Sequence, residues 1–185
     1  PRFSPFLNGS SQPTDSTIHF PRNLFQDQSG TFWISEPGAV VRYQPGIDSL
    51  HRYFLPEKHR SSSYLHAFHV FEEHGNIYVL TYHNGVLYRF NREKKELQKL
   101  PVSIPQSRFD VEGVVTLDDG ALLAATANGI YRLDYQNGAY RNSWSKMLNL
   151  ENALTLARFG DTIYLGTRDG KIYLTEASRP DHLHL

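Results

Sequence analysis

Short apolar runs separated by polar, glycine-bearing turns recur along the chain, with the spacing of strands rather than helices. Four stretches superimpose: "FQDQSGTFWISEPGAVVRYQP" from Phe25, "FEEHGNIYVLTYHNGVLYRFN" from Phe71, "LDDGALLAATANGIYRLD" from Leu117 and "RFGDTIYLGTRDGKIYLT" from Arg158. Aligned on their first turn, Gly30, Gly75, Gly120 and Asp161 fall at intervals of 45, 45 and 41, the period of four-stranded propeller blades. After that turn come Phe32-Trp33-Ile34, Ile77-Tyr78-Val79-Leu80, Leu122-Leu123-Ala124-Ala125 and Ile163-Tyr164-Leu165. These runs are β-branched and aromatic, and too short for helices. Three copies then reach a threonine, at Thr81, Thr126 and Thr167, where the first copy has Glu36.

A second glycine follows in each copy, at Gly38, Gly85, Gly129 and Gly170, and permits the positive φ of a tight hairpin. Beyond it lies a further strand: Val40 to Tyr43, Leu87 to Phe90, Ile130 to Leu133 and Ile172 to Thr175. "YLHAFHVFEE", "DVEGVVTL" and "NALTLARF" read as inner strands, and "ELQKLPV" and "YRNSWSKM" as outer ones. The expected fold is therefore all-β, a β-propeller with blade units at about 18–56, 64–101, 109–146 and 152–175. Each blade needs a like neighbour to bury its faces. "SKMLNLENAL" reads as an inter-blade loop with one helical turn, and "EASRPDHLHL" leaves little room for a fourth strand in the last unit. "PRFSPFL" reads as an outer strand in search of a blade. The chain could close as a four-bladed ring or form about half of a ring of seven or eight blades; the proline in first place and the cut look of both ends favour the larger ring.

Charge narrows the partners. Nineteen basic and nineteen acidic residues cancel, and "REKKE" at Arg92 to Glu96 is mixed, so no nucleic acid partner is expected. There is no cysteine, which excludes disulfides and thiolate metal sites. No apolar run approaches the roughly 20 residues of a spanning helix, so no direct membrane contact is expected of this segment.

The first copy resembles the two-component regulator propeller repeat, through Asp27, Gly30, Trp33, Ile34, Gly38, Arg42 and Tyr43. The third copy carries Asp119, Gly120, Thr126, Gly129, Tyr131 and Arg132, and the fourth carries "IYLGTRDGKIYL"; Glu36 and the missing tryptophan of later copies depart from the pattern. The resemblance implies the periplasmic or extracellular sensor region of a membrane-anchored hybrid two-component or sensor histidine kinase protein, non-catalytic in itself and often a receptor for oligosaccharides. It implies no cofactor, and as partners a small-molecule ligand with either further blades or a second copy.

Other chemistry reads as structural. His66 and His69 are three apart on a strand and so point to opposite faces; His182 and His184 share a face near the terminus, and His74 and His83 fall in turns. No metal site is expected. "SSS" at Ser61 to Ser63 lacks a nucleophile-elbow context, "NGS" at Asn8 to Ser10 is a frequent chance match, and Asp118-Asp119 and Glu72-Glu73 fall on the repeated turn. Trp33, Tyr78 and Tyr164 share one repeat position, which marks inter-blade core. The competing enzyme class, a glycosidase or lyase propeller, would want motifs that "SGTFW" and "DDGAL" imitate only in part, and a protein-binding propeller would want Gly-His and Trp-Asp signatures that are missing.

Positions that break the repeat crowd the loops leading into inner strands and the hairpins between second and third strands, which share one rim. Arg60, Tyr64, Tyr82, His83, Arg108, Phe109, Asp110, Asn128, Arg168 and Asp169 are expected to face one opening there and bind the ligand. Aromatics, guanidinium groups and amides suit polyhydroxylated or acidic sugars, by stacking and bidentate hydrogen bonds. Arg108, Phe109 and Tyr82 are the leading candidates.

Overall fold

The computed structural model describes residues 21–46, 49–56, 67–103, 105 and 109–184. Four antiparallel sheets of four strands follow one another along the chain. The first is β1 (Leu24–Gln26), β2 (Phe32–Glu36), β3 (Ala39–Gln44) and β4 (Ser49–Phe54); the second is β5 (Ala67–Glu73), β6 (Asn76–Thr81), β7 (Leu87–Asn91) and β8 (Glu96–Lys99). The third orders β9 (Gly113–Thr116), β10 (Leu122–Thr126), β11 (Gly129–Leu133) and β14 (Ser145–Leu148), with a small hairpin of β12 (Tyr135–Gln136) and β13 (Ala139–Tyr140) on the way out. The fourth is β15 (Ala153–Phe159), β16 (Thr162–Thr167), β17 (Ile172–Glu176) and β18 (Arg179–His184). Among the described residues the helical content is a single 3₁₀ turn at His83–Gly85, and no helix is long and apolar enough to cross a membrane.

Two sequence expectations are corrected here. The last sheet does have a fourth strand: Thr175 Oγ1 donates to Arg179 O (2.8 Å), and this short link turns the chain back so that β18 pairs with β17. "SKMLNLENAL" contains no helical turn, because Ser145–Leu148 is claimed by the edge of β11 and Ala153 already opens β15, leaving four residues to connect them. The proposed outer strand "PRFSPFL", the "NGS" and "SSS" motifs and His66 lie outside the described residues.

Two compact units result: Pro1–Thr81 with Leu87–Lys99, and Tyr82–Val86 with Leu100–Leu185. In the first, the repeated acidic turn is built around Asp27. Its buried carboxylate accepts from Ser29 N (2.9 Å), Thr31 N (3.0 Å) and Trp33 Nε1 (2.8 Å). Burial alone would raise its pKa, but the hydrogen bonds from Ser29, Trp33 and Thr31 outweigh that and hold it below the usual carboxylate value. The anchored Trp33 ring then meets Phe90 of the second sheet edge-on at 5.0 Å, which joins the two sheets through apolar area. Glu36, which replaces the repeat threonine, is buried and accepts from Arg52 Nε on β4 at 2.9 Å.

In the second unit, Val115, Leu123, Ile130, Leu156, Ile163 and Leu165 form one cluster between the third and fourth sheets. The inner strands approach closely because Gly113 lacks a side chain: a Cβ there would lie 2.5 Å from Leu156 N. Gly129 adopts φ +137, and a Cβ on it would collide with Leu148 O on β14, so the hairpin between β10 and β11 demands glycine twice over.

The shared aromatic position divides. Trp33 and Tyr78 are buried at 1% exposure, as expected, whereas Tyr164 is 41% exposed and is corrected from core to surface. Its cross-strand partner Leu174 and nearby Ile172 and Phe159 are exposed with it, because the fourth sheet packs its opposite face, through Ile163 and Leu165, on the third.

Candidate functional site

The lead-in to β9 is the segment Asp110-Val111-Glu112, and backbone bonds fix it from two sides. Val111 N donates to Tyr82 O and Glu112 N to Ala125 O, both at 2.8 Å. With Val111 buried, the flanking carboxylates are directed outward in the alternation of extended chain. Opposite them, the β10–β11 hairpin is held by Thr126, whose hydroxyl donates to Gly129 O (3.0 Å) and accepts from Asn128 N (3.2 Å). Asn152, the residue before β15, donates its backbone N–H to Ala127 O (2.9 Å), and its carbonyl accepts from Arg168 N (3.0 Å). Two hairpins and two inner-strand starts are thereby locked together.

Between them lies a cleft of about 310 Å³ lined by Asp110, Glu112, Thr126, Ala127, Asn128, Asn152 and Arg168. This is at the small end of the range for ligand sites, about 300 to 1,000 Å³. Each carboxylate has a partner. Glu112 Oε1 accepts from the Tyr82 hydroxyl at 3.0 Å and from Arg168 Nη2 at 2.8 Å; Asp110 Oδ1 lies 2.7 Å from His83 Nδ1. The Tyr82 and His83 rings meet edge-to-face at 4.7 Å. Burial, and then the hydrogen bond to and charge of Glu112, push the Tyr82 phenol above its ordinary pKa. Among the described residues, no hydrogen bond engages the side-chain amides of Asn128 and Asn152.

Of the ten residues expected at the rim, Asp110, Asn128 and Arg168 line this cleft, and Tyr82 and His83 support its carboxylates from behind. Arg60, Tyr64 and Arg108 lie outside the described residues. Phe109 is corrected: it is fully buried, edge-on to Tyr131 at 4.9 Å and beside Trp144 at 5.4 Å, because Gly85 leaves room for its ring under the β6–β7 turn. Asp169 does not line this cleft. It is exposed but turned into its own hairpin, paired with Lys171 at 2.7 Å and accepting from Thr167, and the Lys171 and Thr167 contacts hold its carboxyl below the usual value.

Glu112 and Asn152 were missed. Each immediately precedes an inner strand, as Asn23 does before β1, but at seven, eight and nine positions before the first turn residue for Asn23, Glu112 and Asn152 there was no fixed repeat offset to reveal them. Among the described residues, no group of three His, Asp or Glu side chains is placed to hold a metal ion.

No protein-family model matches the chain, nor does any curated protein sequence. Solved structures do. The chain is similar to the extracellular domain of a hybrid two-component system protein from B. thetaiotaomicron, at 19% identity and TM-score 0.60 over 83% of this chain and 21% of that one. It is similar to a catalytically inactive virginiamycin B lyase from Staphylococcus aureus, solved with quinupristin, at 13% identity and TM-score 0.60 over 94% of this chain and 60% of that one. The Dos1 propeller matches at 9% identity and TM-score 0.60 over 88% of this chain and 46% of that one. These likenesses show the fold, an all-β propeller. The chain spans about a fifth of the length of the two-component extracellular domain it matches.

Proposed function

We propose that this chain is a non-catalytic, ligand-binding part of the extracytoplasmic propeller of a two-component signalling protein, and that its ligand is an oligosaccharide. The observation that carries the reading is the cleft of the second unit. Charged and amide side chains converge there on a preformed backbone frame, while Asp110 and Glu112 are each committed to neighbours and so are not poised as an acid and base. The repeat resemblance and the likeness to a two-component extracellular domain support the signalling context.

The same reading makes the chain a run of blades in a larger ring. Tyr164, Ile172 and Leu174 form an apolar face on the fourth sheet, in the repeat position where Trp33 is covered by the next sheet and Leu123 by the one after it. A further blade would cover it, as the repeat requires.

Calorimetric titration of the full protein against an oligosaccharide panel, run beside glycosidase and lyase assays on the same compounds, tests the proposal. Saturable binding without turnover is expected. Turnover of any compound would move the chain to the enzyme class.

A further inference from the structure

Glu112 and Arg168 meet in the cleft through a single oxygen. Glu112 Oε1 accepts from the Tyr82 hydroxyl at 3.0 Å and from Arg168 Nη2 at 2.8 Å, so the ion pair is one-pronged rather than a fork. With both donors on Oε1, the lone pairs of Oε2 are left for a ligand, and the guanidinium keeps the N–H groups of Nε and Nη1. Backbone bonds hold both residues, since Glu112 N donates to Ala125 O and Arg168 N to Asn152 O. The Glu112 side chain is 13% exposed and that of Arg168 55%. A nearly buried acceptor and a more open donor therefore stand side by side on the cleft lining. Two neighbouring hydroxyls of a sugar ring match that arrangement, one donating to the carboxylate and the other accepting from the guanidinium, each in a charge-assisted bond. A lone hydroxyl uses only half of it.

We infer that the Glu112–Arg168 pair is a subsite for a vicinal diol of the saccharide, Glu112 accepting from one hydroxyl while Arg168 donates to the next. The Tyr82 hydroxyl, bound to Oε1, fixes the rotation of the carboxylate. Asn128 and Asn152, on the same lining, are left to engage hydroxyls elsewhere on the sugar. This rests on the ligand-binding reading above and adds the chemical feature that the cleft recognises.

The test is an array of immobilised oligosaccharides probed with the full protein, each spotted native and after periodate cleavage with borohydride reduction, which opens vicinal diols. Periodate-treated laminarin, whose linkage leaves its internal units with intact rings and no diol, is the control. The protein should bind native spots, lose at least about tenfold on their oxidised forms and leave laminarin unbound. Titration with the best native oligosaccharide should show at least about a tenfold loss in Glu112→Gln and in Arg168→Met, and little further loss in the double variant, because one diol spans both groups. Equal binding to native and oxidised forms, or to laminarin, would overturn the diol and leave the ligand-binding reading standing. Binding to no spot would overturn both. Unchanged affinity in Arg168→Met with its circular dichroism intact, or additive losses in the double variant, would overturn the assignment to this pair.

Discussion

The Tyr82 hydroxyl donates to Glu112 Oε1 at 3.0 Å, although thirty residues separate them in the sequence. The bond ties the turn after β6 to the lead-in of β9, and it holds Glu112 where Arg168 can reach it. Replacing Tyr82 by phenylalanine keeps the ring and removes only the donor. A loss of about 1.5 to 3 kcal/mol is expected, the range for a hydrogen bond to a charged group, measured as a lower urea midpoint with unchanged slope. The phenol pKa is raised on folding, so the unfolded chain deprotonates first and stability falls as pH climbs through 10; that part of the alkaline loss should vanish in the phenylalanine variant.

Phe109 and Asn128 were both expected to touch ligand, and they should now behave oppositely. Phe109→Ala removes a fully buried ring from between Tyr131 and Trp144 and should destabilise by about 3 to 5 kcal/mol. Asn128→Ala, on an exposed hairpin, should stay within about 0.5 kcal/mol of wild type while weakening sugar binding. Thermal unfolding and titration of the two variants separate packing from recognition.

Equivalent repeat positions should differ in cost according to what covers them. Leu123→Ala opens the cluster between the third and fourth sheets and should cost about 2 to 5 kcal/mol. Tyr164→Ala, on the uncovered face, should cost under about 1 kcal/mol in the 185-residue chain and several-fold more in the full protein if the proposed further blade packs on it. Equal small costs in both would remove the support for a larger ring.

Acid should weaken the first unit in two stages. His69 is stacked on Phe71 at 5.6 Å, and burial depresses its pKa from 6.5 to about 4. The unfolded chain therefore binds the proton first, and stability present above pH 6.5 declines as pH falls toward 4, by on the order of 3 kcal/mol. Asp27, depressed in the fold, adds a further loss below about 3.8. Urea midpoints against pH for wild type and His69→Phe read the first stage, which the variant should lack.

How much of this was legible in the sequence follows from what repeats. The glycine turns and the central strands were readable because every blade solves the same packing problem with the same residues, as Trp33 and Tyr78 show. Tyr164 obeys the same pattern, but exposure depends on a neighbour that local pattern does not encode. β18 was hidden because "RPDHLH" is polar, proline-bearing and without alternation, and an outer strand needs little apolar surface. The cleft was half legible: irregular loops pointed to Asp110, Asn128 and Arg168, while Phe109 looked the same in sequence. What separates Phe109 is the space above Gly85, a contact between residues more than twenty positions apart. Glu112 and Asn152 were absorbed into strand readings, although each stands one residue outside its strand.

Recognition by the cleft of the second unit should depend on the two amides that line it. Calorimetric titration of the full protein with the oligosaccharide it binds best, repeated with Asn128→Ala and Asn152→Ala combined, measures this. At least a tenfold loss of affinity is expected, with a cooperative transition kept and stability lowered by only about 1 to 2 kcal/mol, the cost of placing alanine at φ +62 of residue 152. Unchanged affinity in the double variant would contradict it and place recognition elsewhere on the protein.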